Sequence, residues 1–231
     1  MKIATFNING IKARTEALLD WLAEAQPDVA CLQEIKSVDE AFPREAFEAL
    51  GYRVETHGMK AFNGVAILSK LPLEDVVRGL PGDAADEQAR WIEATVIGQR
   101  AVRVCGLYLP NGNPVPGPKY DYKLAWMARM QARVETLLQL QEPLVCCGDY
   151  NVIPQAEDAA NPELWLEDAL YLPQTRAAFG DMTEKSFDSA RVRIGVRAVM
   201  TVIVIFLTFT GIVGVLWIGA RDVRSGAMSP G

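Results

Sequence analysis

The stretch Leu144-Val-Cys-Cys-Gly-Asp-Tyr-Asn151 runs an apolar strand straight into a polar tip led by glycine. Residues 143–147 carry no charge, the pattern of a strand covered on both faces of a sheet. Gly148 then permits a sharp exit. Asp149 and Asn151 are two residues apart, so continued strand geometry sends both side chains to the same side while Tyr150 points away. A carboxylate and an amide would share one mouth. The same residues also suit a plain turn, since Gly, Asp and Asn are common turn formers. The rest of the chain has to decide between the two readings.

Upstream, Ile3–Asn7 reads as a short strand, followed by a helix with Leu18, Trp21, Leu22 and Ala25 on one face and Pro27 beyond its end. Residues 28–33 form the next apolar strand and deliver Glu34 at its carboxyl end. A strand-helix-strand order favours a parallel pair with a right-handed crossover. Asn7 and Glu34 would then lie at one edge of one sheet, where ligands of α/β sheets bind, and Asp149 belongs at that edge too. A second helix is expected over residues 39–50, ending at Gly51. From there the period turns to alternation, and residues 52–56, 64–69, 73–79, 90–97 and 100–109 read as antiparallel strands, completing a mixed sheet.

Residues 80–88 hold three acids, Asp83, Asp86 and Glu87, and read as a solvated loop. Tyr108 leads into Pro110-Asn-Gly-Asn-Pro-Val-Pro-Gly-Pro118, too rich in proline and glycine for a helix or a sheet interior. From Lys119 the pattern is helical, with Leu124, Met127, Met130, Val134, Leu137 and Leu138 at spacings that build one apolar face. The methionines read as core filler. Short acidic helical segments follow near residues 155–159 and 163–170, and Pro173 opens a helical turn ending near Phe179.

The chain has 231 residues and a net charge of −6, so no global basic field advertises nucleic acid. Action on phosphates would need a local basic strip or a bound cation. The four cysteines, Cys31, Cys105, Cys146 and Cys147, lie in apolar runs without a Cys-x-x-Cys pair and read as reduced core residues. The N-terminus opens directly into a strand without a signal-peptide hydrophobic region, which predicts a cytoplasmic location for the first part. Beyond residue 180 the character changes. Residues 180–197 form a polar connector, 198–220 carry no charge, and 221–231 form a tail. About twenty apolar residues suffice to cross a bilayer as a helix, so 198–220 predicts a transmembrane segment and membrane association. Trp217 sits near one end of it, as interfacial aromatics do.

Asn7, Glu34, Tyr108, Asn111, Asp149 and Asn151 all fall at strand ends or in the loops just beyond. Glu34 is a hard oxygen ligand suited to Mg²⁺ or Mn²⁺, which Asn7 would support through its amide oxygen. The Tyr108 phenol can donate to an anionic oxygen. The Asn151 amide can donate to a phosphoryl oxygen, and Asp149 can orient or deprotonate a water or protonate a leaving oxygen. Together they describe metal-assisted attack on a phosphodiester.

Thr5-Phe-Asn-Ile-Asn-Gly-Ile-Lys-Ala-Arg14, Leu32-Gln-Glu-Ile-Lys36, Gly64-Val-Ala-Ile-Leu-Ser-Lys70, Tyr108-Leu-Pro-Asn-Gly112 and Gly148-Asp-Tyr-Asn151 resemble, in order, motifs of the exodeoxyribonuclease III family within the endonuclease/exonuclease/phosphatase superfamily. The resemblance covers residues 1–179. It implies a four-layer α/β sandwich, a divalent metal, and action on duplex DNA as an abasic-site endonuclease and 3′ exonuclease. It makes Glu34 and Asn7 metal-site residues, Tyr108 a phosphate contact, Asn111 a substrate contact, and Asp149 with Asn151 the catalytic pair. Lys36 and Lys119 would add positive charge for the DNA backbone.

The family's closing strands carry an aspartate and then an Asp-His pair, and nothing after Phe179 resembles them. The single histidine, His57, lies early and reads as surface or structural. The C-terminal part, through Arg197-Ala-Val-Met-Thr, Leu216-Trp-Ile-Gly-Ala-Arg221 and Gly226-Ala-Met-Ser-Pro-Gly231, resembles a piece of an ABC exporter transmembrane domain. The expected organisation is therefore a nuclease-type domain without its last strands, fused to a hydrophobic helix, with impaired activity. Two other readings stay open. One is a phosphodiesterase or phosphatase of the same superfamily acting on a lipid or small molecule, and the other is an inactive chimeric membrane-protein fragment.

Overall fold

In a computed structural model, which describes residues 1–184 together with Ile203 and Phe206, the opening strand-helix-strand unit forms as its pattern requires. β1 (Ile3–Asn7) pairs in parallel with β2 (Val29–Gln33), placing Asn7 opposite Gln33, and α1 (Thr15–Ala25) crosses between them. α1 buries Leu18 and Leu22. Trp21, expected on the same face, stays 39 % exposed because it lies at the margin of that stripe, where its large ring is only partly covered.

The second expected helix is broken. Pro43 lacks an N–H and holds Phe42 extended, so residues 39–50 give a 3₁₀ turn, Asp39–Ala41, and a short α2, Arg44–Glu48. The alternating segments form β3 (Arg53–His57), β4 (Val65–Ser69), β5 (Leu73–Arg78), β6 (Trp91–Ile97) and β7 (Ala101–Tyr108). They do not complete one mixed sheet as expected. The chain builds two: β1-β2-β4-β3 and β5-β6-β7-β8, where β8 is Leu144–Asp149. Each combines one parallel pair, β1 with β2 or β7 with β8, with antiparallel neighbours.

Period-two alternation explains why two sheets result. In β7, Val104 faces one way, into a core shared with Val29, Cys31, Ile67 and Ile92, and Cys105 faces the other, toward Trp91, Trp126 and Met130. The first of these cores lies between the sheets. The second lies under α3 (Pro118–Gln139), and a third joins Leu18, Leu22 and Phe47 to the outer face of the first sheet. The layers run helix, sheet, sheet, helix, which is the α/β sandwich expected. Met127, Met130, Val134 and Leu137 of α3 are buried, as filler should be, and Leu124 and Leu138 are half-covered.

β8 has an outer edge position, and all its residues are half-buried rather than fully enclosed. The lack of charge over 143–147 still has a cause. Cys146 packs into the α3 core and Cys147 into the inter-sheet core, so both faces are covered although the edge is open. All four cysteines are free. The 80–88 loop is largely exposed, as expected, and is anchored by Asp86, which accepts from the Tyr122 hydroxyl at 3.0 Å and pairs with Arg129. The acidic segments after β8 are 3₁₀ turns, Ala156–Asp158 and Pro162–Trp165. Residues 173–183 are helical, past the expected stop near Phe179, and Met182 packs into the α3 core. Most of the polar connector, the 198–220 segment, the tail and the exporter-like motifs lie outside the described residues. Among the described residues no helix is long and apolar enough to cross a membrane.

Candidate active site

The site lies where the carboxyl ends of two edge strands meet. β1 and β8 belong to different sheets but run beside each other, so Asp149 reaches Asn7 across the sandwich rather than along one sheet edge. The Asn7 Nδ2 donates to Glu34 Oε1 at 2.9 Å and to Asp149 Oδ2 at 2.9 Å. Asn7 therefore faces both carboxylates with its nitrogen. Its oxygen, expected to support a cation, instead accepts the Asn9 N–H at 3.1 Å.

Glu34 takes a left-handed backbone, φ 52°, which is unusual for a residue without a short polar side chain. Backbone hydrogen bonds on both sides hold it there. Gly10 and Ile11 donate to the Glu34 and Ile35 carbonyls at 2.7 and 3.0 Å, while Ile35 and Lys36 donate to the carbonyls of Gly64 and Asn63. Strain maintained by its surroundings is a frequent mark of functional positions. The second Glu34 oxygen accepts from Lys36 Nζ at 2.9 Å, so Lys36 is engaged at the site rather than free for a DNA backbone. Burial alone would raise the Glu34 pKa, but Asn7, Lys36 and Tyr108 outweigh it and hold the carboxyl below its ordinary value.

The Tyr108 hydroxyl faces Glu34. Burial first, and then the nearby carboxylate, push its pKa up to about 12, so the phenol keeps its proton. Arg90 stacks on the Tyr108 ring with its guanidinium carbon 4.9 Å from the centroid.

The tip after β8 combines the two readings its sequence allowed. Gly148 has φ 154°, and a Cβ there would lie 1.9 Å from the Leu107 carbonyl oxygen, so glycine is required by close approach to β7. Strand geometry stops at Asp149, and Asn151 is left-handed at φ 46°. The two side chains therefore do not leave in parallel. Asp149 Oδ1 instead accepts the Asn151 N–H at 3.0 Å, forming the turn, while Asn151 Nδ2 donates to the Leu109 carbonyl at 2.8 Å.

Asn111, in the proline-rich loop, accepts from the Asn113 backbone and side chain at 3.2 and 3.0 Å through its oxygen, leaving its amide nitrogen without a partner among the described residues. An open cavity of about 520 Å³ adjoins it, lined by Phe62, Gln88, Arg90, Asn111, Lys119 and Tyr122. His57 is remote from the site in its hydrogen bonding, its Nδ1 lying 3.1 Å from the Trp91 carbonyl oxygen.

The donor set fits a hard divalent cation in part. Glu34 offers carboxylate oxygens and Asp149 lies one amide away, but no group of three His, Cys, Asp or Glu converges among the described residues. Mg²⁺ needs no such cage, since one or two carboxylates and retained waters suffice.

Sequence reasoning missed two residues. Lys123 is completely buried, with Nζ donating to the Asn111 and Asn151 carbonyls at 3.0 and 2.6 Å. The signal was present: Lys123, Met127, Met130 and Val134 follow the helical spacing of the buried face. Arg90 had no comparable signature.

Stacked sheets deliver acids, amides and a phenol to one rim, under a helix on each outer face. The chain belongs to the Endonuclease/Exonuclease/phosphatase family, whose model matches residues 4–195, a stretch running past the Phe179 where the motif resemblance ended. It is 37 % identical over 185 residues to exodeoxyribonuclease III of Haemophilus influenzae, an alignment covering 77 % of this chain and 69 % of that protein. Among solved structures it is similar to an AP endonuclease from Archaeoglobus fulgidus, with a TM-score of 0.75, 36 % identity, and 80 % of this chain and 70 % of that one covered. The 3′ phosphatase NExo from Neisseria, bound to a product DNA hairpin, gives a TM-score of 0.75 and 35 % identity, again with 80 % and 70 % covered.

Proposed function

We propose that this chain is a DNA-repair nuclease of the exodeoxyribonuclease III type, which hydrolyses phosphodiesters of duplex DNA at abasic sites and 3′ ends. The observation that carries this is the junction of the two sheets, where Asn7 bridges Glu34 and Asp149 beside Tyr108 and Asn111. Its support comes from relatives that are hydrolytic nucleases and from a similar protein solved with DNA.

Glu34 would hold Mg²⁺ or Mn²⁺, with Asn7 and Lys36 fixing its carboxylate. When bound, the metal would supply positive charge against a phosphoryl oxygen. Tyr108, protonated at neutral pH, donates its hydroxyl hydrogen to a non-bridging phosphate oxygen. The free amide N–H of Asn111 and the second amide N–H of Asn151 hold the substrate. Asp149, oriented by Asn7 and by the Asn151 N–H, removes a proton from the attacking water or returns one to the leaving oxygen.

His57 bonds to the Trp91 carbonyl rather than to the cluster, so among the described residues proton transfer falls to Asp149. Positioned general-base help of this kind is typically worth roughly 10²- to 10⁴-fold in rate.

The test is incision of a duplex carrying one abasic site, with Mg²⁺, by the purified chain and by Asp149→Ala. Incision abolished in the variant fits the proposal. Equal incision by both proteins would reject the site, and a chain that neither binds nor cuts the duplex would reject the reading as a whole.

A further inference from the structure

The Lys123 ammonium is the one cation of α3 set wholly inside the fold, and it faces neither solvent nor a hydrogen-bonded carboxylate among the described residues. Its two donors close on backbone carbonyls from separate loops, Asn111 after β7 and Asn151 after β8. The stem passes beneath Gly112, where a Cβ would lie 2.7 Å from Lys123 Cδ and 3.0 Å from Ala169 Cβ. The φ of Gly112, +94°, lets the loop press down onto the lysine.

The neighbouring positions of this helix face are Met127, Met130 and Val134, any of which shows that apolar side chains fill the layer. Burying an ammonium there is unfavourable unless its donors are satisfied. The loops it joins carry Asn111 and Asn151, the two amides read above as substrate contacts. We infer that Lys123 is a positioning residue that clamps the Asn111 and Asn151 loops at a fixed separation through their carbonyls.

Further contacts support the clamp. Asn113 donates to Asn111 Oδ1 and to Asp168 Oδ2, both at 3.0 Å, and accepts the Ala169 N–H at 3.1 Å, so the loop is braced from its far side as well. Asp168 and Asp149 lie close enough to favour the charged ammonium, while burial pushes its pKa down to about 8. The lysine therefore stays protonated, with its donors intact, at neutral pH. Asn151 needs the restraint because its left-handed backbone turns its carbonyl back toward α3.

This inference rests on the reading of Asn111 and Asn151 as substrate contacts, and its test separates the two. Lys123→Met keeps the length of the stem and removes the donors. Val134→Ala on the same face serves as a destabilised control with the clamp intact. Amide hydrogen exchange is followed in peptides spanning 109–113 and 150–153, and cleavage of the abasic duplex is measured alongside.

In Lys123→Met, exchange in both loops should rise at least about tenfold while β6 is unchanged. kcat should fall about 100-fold with KM within about threefold, because misplacement of contacts that act in the transition state lowers kcat. Lys123→Arg, which retains charge and donors, should keep both loops protected, and it decides the matter if the methionine variant does not fold. Unchanged exchange in both loops of Lys123→Met, equal acceleration in Val134→Ala, or loss of protection in a folded Lys123→Arg would each overturn the clamp. If the wild-type chain does not act on the duplex, the nuclease reading fails and exchange alone judges Lys123.

Discussion

Replacing Asn7 with alanine removes an amide that touches both carboxylates. Its two hydrogen bonds, each 2.9 Å, end on Glu34 and Asp149, and bonds to charged groups contribute about 1.5–3 kcal/mol each. The Glu34 side chain is 18 % exposed, so water recovers part of the loss. A net destabilisation of roughly 2 kcal/mol is expected at neutral pH, equivalent to about 4–8 °C in Tm for a chain of this size. The effect must depend on pH. Glu34 is held below its ordinary carboxyl value in the fold, so the stabilisation is complete above that ordinary value and disappears as pH falls through the lower folded one. Urea unfolding of wild type and Asn7→Ala at pH 7 and again near pH 3 measures this directly. The gap between the two proteins should narrow in acid. A gap that is the same at both pH values would show that Asn7 contributes packing rather than hydrogen bonds to a charge, and the account of the cluster would fail.

Gly148→Ala should destabilise by more than about 3 kcal/mol, since its Cβ would lie 1.9 Å from the Leu107 carbonyl oxygen; a normal cooperative melt would contradict the geometry. Glu34→Ala should weaken Mn²⁺ or Mg²⁺ binding at least about tenfold by titration calorimetry while Asp149→Ala affects it less, and equal affinities for Glu34→Ala and wild type would remove Glu34 as a ligand.

The sequence exposed the strands well because period-two alternation is a local signal, and the parallel pairing of β1 with β2 followed from the helix between them. The partition into two sheets was not local. It depends on which face of β4, β6 and β7 meets which neighbour, and Cys31 or Val104 in the inter-sheet core have the same character as residues on an outer face. Proline explains the broken second helix, and its effect was readable from Pro43 alone. The site residues were placed correctly at strand ends, yet their roles in the cluster changed on assembly. Asn7 was expected to lend an oxygen and instead lends a nitrogen, because Asp149 arrives from the second sheet and brings a second acceptor to the same amide.

That arrival also explains how the two ends of the site are coupled. Asp149 is held by Asn7 from the first sheet and by the Asn151 N–H from its own loop, while Asn151 is held by Leu109 and, through its carbonyl, by Lys123. A displacement of α3 would therefore reach Asp149 through two hydrogen bonds, and a displacement of β1 would reach it through one. The sandwich fixes both distances only while its three cores stay packed, and loss of the Lys123 donors should alter chemistry at Asn151 before it alters Glu34. Motifs contiguous in sequence supply the groups. The stacking of the two sheets, which no motif encodes, determines which of those groups act on one another.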